Sequence, residues 1–271
     1  MASNETTGPE DSAFPPLEKD PAAPGRLPGD EPSMEYLRAF SYVFENPNWL
    51  MTLLIGGLCY FSQSVIPVVG GLLFLGYQFE VAEALLRNKG TSYPEFNFDR
   101  FSDYLMRGIW PLLVSLVVAM IAIVPVAMVM GVMMGLFGAV AQAIDDDVAP
   151  VLFFLMMGVS FLLMMVLAAV MALFITPMTL RAGLTQQFGE AFNFRWARDF
   201  VGRTWLEMIL FWCFFMMAAM VLAPLGLAVF CVGIYAVSAL MVMAQAHVYY
   251  QLYSLYLARG GEPIPLDPPI K

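Results

Sequence analysis

Acidic, amide and imidazole side chains inside long apolar runs are where this chain could carry chemistry, because a charge in hydrocarbon costs about 2.5 to 3.5 kcal/mol or more. Glu80 stands in the run that begins at Pro67, and Gln245 and the single histidine, His247, stand in the run that ends near Tyr253. Read as helices, Glu80 lies about 21 Å below the turn at Ile66, while Gln245 and His247 lie about 21 and 24 Å below Cys231. The shared depth raises a buried contact of Glu80 with Gln245 or His247, proton-sensitive because histidine titrates near neutrality. The plainer reading, which we favour, lets Glu80 snorkel toward Arg87 or water and places His247 in an interfacial belt with Tyr249, Tyr250, Tyr253 and Tyr256. Glu83 precedes Arg87 by four residues, the spacing of a helical ion pair.

Other chemistries find little support. Methionine occurs 21 times, and Met130 and Met134 form a pair interleaved with Gly131 and Gly135. Thioethers select Cu(I), but these residues are scattered, and methionine commonly fills irregular packing. Gly131-x-x-x-Gly135 is better read as a close helix contact. Gly56, Gly57, Gly70, Gly71 and Gly76 likewise permit the first two apolar helices to approach closely. Cys59, Cys213 and Cys231 lack any zinc spacing and lie inside apolar runs. Neither a Gly-x-Ser-x-Gly elbow, a His-Glu-x-x-His pair nor a phosphate-binding glycine loop is present, and Glu80 has no acidic counterpart at its depth. The expectation is a protein without enzymatic activity, cofactor or metal.

The elements that would position these residues follow from composition. Of the 271 residues, 60% are hydrophobic and 13% charged, against about a quarter charged in a soluble domain. A mean hydropathy of +0.71 over 30.1 kDa cannot be hidden in one water-soluble core. The net charge of -9 argues against nucleic acid, which calls for clustered cations. Residues 1–33 are rich in proline and acid and read as a disordered cytoplasmic tail without a signal peptide. From Met34 to Phe44, apolar residues recur at three- and four-residue steps, as in a helix lying on the membrane surface.

Six spans follow in an all-α membrane domain, residues 34–258: 49–65, 67–86, 109–140, 148–177, 205–223 and 230–253. A bend is expected at Pro125. Residues 259–271 read as a solvated Pro-rich tail. Basic residues precede the first span and follow the second, fourth and sixth, so the positive-inside rule places both termini in the cytoplasm. The outer run Asp145-Asp146-Asp147 is either a cation-attracting mouth or, as we favour, a helix cap.

The two cytoplasmic loops repeat at an offset of 96 residues: Phe96-Asn97-Phe98 with Asp103 and Arg107 matches Phe192-Asn193-Phe194 with Asp199 and Arg203. Residues 94–108 and 190–204 are therefore predicted to form two amphipathic interfacial elbows, each with an Asp–Arg pair four residues apart. Two spans separate the copies, so their axis should run along the membrane normal.

Asn46-Pro47-Asn48-Trp49, Gly56-Gly57, Gly76-Tyr77, Pro94-Glu95-Phe96, Arg107-Gly108 and Ala191-Phe192-Asn193-Phe194 occur in order. Together they make residues 40–256 resemble a prokaryotic family of multi-pass membrane proteins known as domain of unknown function 4013. The resemblance implies a prokaryotic inner membrane and brings no catalytic or binding residues. Three functions stay open: a structural or assembly component with a membrane-protein partner or a second copy, which we favour; a small-solute permease or channel with a polar site at Glu80, gated near Pro125 and Pro177; and lipid-headgroup handling by the arginine-bearing elbows.

Overall fold

The computed structural model describes residues 33–90, 94–143, 148–229 and 232–266. Among them every regular element is helical. Apolar runs of this length satisfy their backbone groups internally only as helices. The order is α1 (Tyr36–Glu45), α2 (Trp49–Ser62), α3 (Val69–Arg87), α4 (Phe101–Ala143), α5 (Ala149–Thr185), α6 (Phe188–Ala191), α7 (Phe194–Ala228) and α8 (Gly233–Ala258), with a 3-10 turn at Phe98–Arg100 before α4. Residues 1–32, the Asp145–Asp147 run and Cys231 lie outside the described residues.

The core forms around α8, which packs against α1, α2, α3 and α7. Glycine sets how closely its neighbours approach. A Cβ on Gly56 would strike the Phe74 ring, and one on Gly70 the backbone carbonyl of Cys59, so α2 and α3 touch backbone to backbone as their glycines imply. Gly76 and Gly108 do the same for α3 and α4, against the carbonyls of Tyr104 and Leu72. From these two contacts α3 ends opposite about Pro111, and α4 continues for about 30 residues beyond it, a length of about 45 Å. There its companion is α5, with Phe137 and Phe153 rings 5.8 Å apart.

Four helices are long and apolar enough to cross a membrane: Val69–Arg87, Phe98–Val140, Pro150–Thr185 and Phe194–Ala228. The first expected span is only the 14-residue α2, about 21 Å long. The sixth, α8, has 26 residues but is diluted by Gln245, His247, Gln251 and several tyrosines. The two elbows are not separate helices: the first is a 3-10 turn running straight into α4, and the second is the opening of α7. Helix assignment is also unbroken through Pro125 in α4 and Pro177 in α5.

Two surface expectations change as well. The apolar face of α1 meets protein, with Ala39, Tyr42 and Val43 buried and Phe40 against Phe214 and Phe215. The described part of the C-terminal tail is docked, since Ile264 is 4% exposed and its amide donates to the Tyr253 hydroxyl at 2.6 Å.

Gly131 has nothing within 4 Å of a Cβ, unlike Gly108. Gly108→Val should therefore lower the thermal stability of the detergent-solubilised chain by about 1–3 kcal/mol or abolish folding. Gly131→Val should leave it unchanged in a detergent that holds the chain monomeric, as thermal unfolding would reveal.

Candidate functional site

Charge gathers where α3 meets the start of α4. Glu83 on α3 pairs with Arg87 at 2.6 Å, one turn along the same helix, and with Arg107 across the interface. Glu83 and Arg107 side chains are each only 4% exposed. Glu80, one turn before Glu83, pairs with Arg100 at 2.7 Å. Arg100 also lies 5.5 Å over the Tyr104 ring and 3.9 Å from Asp103. The elements are fixed locally by the repeated Asn: Asn97 accepts from the amide of Asp99, and Asn193 accepts from that of Trp196, each capping the helix that follows. Tyr77 donates to the Pro94 carbonyl at 2.7 Å and ties the loop back to α3.

The proposed contact of Glu80 with Gln245 or His247 does not form. Gln245 instead accepts from Gln78 at 3.3 Å and donates to the Tyr249 hydroxyl at 2.8 Å. His247 Nδ1 shares a 2.8 Å hydrogen bond with Gln251, and its ring lies 4.7 Å from that of Tyr42. Depth along the helix was matched, but azimuth was not. Two residues separate Gln78 from Glu80, a rotation of about 200°, so one faces α8 and the other faces Arg100. The plainer reading also needs amendment, since the cation that Glu80 meets is Arg100 rather than Arg87.

The two elbow pairs diverge. Asp199 and Arg203 pair at 2.9 Å as expected. Asp103 and Arg107 do not, because burial against α3 gives Arg107 the Glu83 carboxylate and leaves Asp103 to Arg100. Sequence reasoning passed over two groups: Gln78, and Arg181 near the C-terminal end of α5. Arg181 pairs with Glu190 at 2.6 Å and lies 5.2 Å over the Trp196 ring. The available signal was position, for Arg107 and Arg181 each stand at the end of a long uncharged run.

The family model described as "Protein of unknown function (DUF4013)" matches residues 59–232. The chain belongs to the DUF4013 family. No curated protein and no solved structure matches it. The match contains the whole α3–α4 charge cluster and the opening of α7.

In this DUF4013 protein the second copy holds the C-terminal strap. Trp196 Nε1 donates to the Glu262 carbonyl at 3.0 Å, and the Tyr256 hydroxyl donates to Asp199 at 3.0 Å while accepting from the Glu262 amide at 2.9 Å. Arg203 and Arg259 each donate to the other's backbone carbonyl, and Arg259 pairs with Glu207 at 2.6 Å. The Arg203 guanidinium holds the Asp199 carboxyl below its ordinary range, and the Tyr256 hydroxyl adds to this against partial burial.

A small crevice is lined by Tyr42, Asn46, Thr52, Tyr77, Val81 and Met243 among others, and Glu80 is not one of its walls. Between the copies, Phe79 packs against Gly183 and stacks on Tyr249 at 5.7 Å. Among the described residues no three His, Cys, Asp or Glu side chains stand close enough to hold a metal ion.

Removing one member of a buried pair strands the other. Glu83→Gln should therefore cost about 3–5 kcal/mol, and Glu80→Gln, whose partner Arg100 is 26% exposed, clearly less. Folded yield and thermal unfolding of the two variants check the order. At the strap, a lowered folded-state pKa for Asp199 means its contribution is present above the ordinary carboxylate range and fades as pH falls through the lowered value. Asp199→Asn should therefore expose the bond after Arg259 to trypsin at neutral pH, where the wild type stays protected.

Proposed function

We propose that this protein is a multi-pass inner-membrane component with a structural or assembly role, without enzymatic activity, with both termini cytoplasmic and with another membrane protein or a second copy as partner. The observation that carries the reading is the bare apolar surface of α4 and α5. Ile121, Met128, Met134, Val151 and Phe154 are each at least 65% exposed, and water would penalise each by about 1.5 to 3 kcal/mol relative to burial. Lipid and protein are the environments that suit such a surface.

The six-span topology is kept as part of the proposal. In it α2 and α3 form a short hairpin, α4 and α5 a long one, and α7 and α8 a third. The arginines cluster at one end of these hairpins, which supports the inside assignment of that end. A solute pathway between the two repeats finds less support, because Phe79, Gly183 and Tyr249 fill that interface and Glu80 is neutralised by Arg100.

Native gel electrophoresis of mildly solubilised membranes tests the role. The chain should migrate in an assembly larger than its 30.1 kDa, and Glu80→Gln should leave solute uptake by intact cells unchanged. A chain that runs as a monomer, together with altered uptake in Glu80→Gln, overturns the reading in favour of a permease. Reporter fusions should place both termini inside and residues 144–147 outside.

A further inference from the structure

The described arginines divide into two groups. Arg38, Arg87, Arg100, Arg107, Arg181, Arg203 and Arg259 each pair with a carboxylate. Arg195 and Arg198, both exposed on the first turns of α7, do not. The acids nearest them in sequence are already engaged, Glu190 by Arg181 and Asp199 by Arg203.

At 100° per residue, Arg195, Arg198, Gly202, Trp205, Leu206 and Ile209 fall within about 100° of arc on one face of α7. The face is graded along its length. Both guanidinium groups stand at its cytoplasmic end; Gly202 follows with nothing within 4 Å of a Cβ; then come Trp205, 52% exposed, and Leu206, 48% exposed. Arg198 and Trp205 are seven residues apart, about 10.5 Å along the helix, so the guanidinium groups stand at the polar side of the face and Trp205 at its apolar side.

The first copy lacks this arrangement. At the positions 96 residues earlier, Asp99 and Ser102 replace Arg195 and Arg198. A chain of net charge -9 thus keeps two uncommitted cations together on one lipid-facing stripe of one repeat only.

We infer that this face of α7 is a binding site for one anionic phospholipid of the cytoplasmic leaflet. Arg195 and Arg198 hold the headgroup phosphate, Gly202 leaves room for the glycerol, and Trp205 and Leu206 flank the acyl chains. Guanidinium donors suit phosphate because they bond it in a bidentate fork. The inference rests on the membrane reading above and names a partner for it.

The test uses the full chain, extracted from membranes and exchanged into nanodiscs of phosphatidylcholine with or without phosphatidylglycerol of matched chains. Retained lipid is read by native mass spectrometry and stability by thermal unfolding. Wild type should retain phosphatidylglycerol several-fold over phosphatidylcholine and melt higher in its presence. Arg195→Gln/Arg198→Gln should fold normally and bring retention to parity, while Arg38→Gln, which removes an exposed cation elsewhere, should keep the preference. A wild type without preference, a double variant that keeps it, an Arg38→Gln variant that loses it equally, or the same stabilisation by inorganic phosphate alone overturns the site. Failure of the membrane reading itself would look different: the chain would leave the membrane pellet in an alkaline carbonate wash.

Discussion

Hydrocarbon offers no partner to a guanidinium or a carboxylate, and the placement of the buried charges follows from that constraint. The buried charged side chains among the described residues are Glu83, Arg107 and Arg181. Each lies at the arginine-rich end of its helix and each has an opposite charge within bonding distance. Glu83 accepts from two arginines, so its pair is less an isolated bond than the centre of a small network reaching the more exposed Arg87. Placing the network beside Gly76 and Gly108 lets α3 and α4 approach until their backbones touch, which shortens every charge–charge distance between them. Close approach and ion pairing are one design here.

The internal repeat was adapted differently in its two copies, and the difference lies in what each opening helix rests against. The first copy lies along α3, so Tyr104 is buried against Tyr77 and Phe96 and Arg107 is drawn into the Glu83 pair. The second lies along α8 and the strap, so Phe200, the equivalent of Tyr104, packs on Tyr256 and Trp196, and Arg203 reaches Arg259. The shared Asn caps survive in both because a helix start makes the same demand on its first amides wherever it packs. The Asp–Arg spacing survives in sequence but forms a pair only where Arg is left half-exposed.

Hydrophobic run length revealed the helical class, and the glycine pairs revealed the close approach of α2 and α3. Neither could reveal azimuth. Glu80 and Gln78 differ in facing, and facing depends on which neighbour each helix meets, a tertiary property. The strap was illegible for a related reason: Pro263, Ile264 and Pro265 read as solvated because proline-rich segments lack internal hydrogen bonds, yet tyrosine hydroxyls and the Trp196 indole supply those bonds from outside. Similarly, the α1 stripe indicated an apolar face but not whether lipid or the aromatic rings of α7 would cover it.

Helix lengths place a last demand on any membrane arrangement. Without a charge from Gly108 to Ala143, α4 presents about 54 Å of apolar rise to a core of about 30 Å, while α2 presents about 21 Å. Fitting α4 by tilt alone would take an angle of about 56°, beyond the usual range of 0–40°. A bend at Pro111 or Pro125 would reduce its height but bury none of its surface. The short hairpin and the long one therefore cannot both match one flat slab, and the excess apolar surface of α4 and α5 has to meet thickened lipid or another chain. Gly131 and Gly135, which touch nothing in the monomer, lie on that excess, where small residues let a second backbone come close. An assembly role resolves the mismatch with surfaces the chain already exposes.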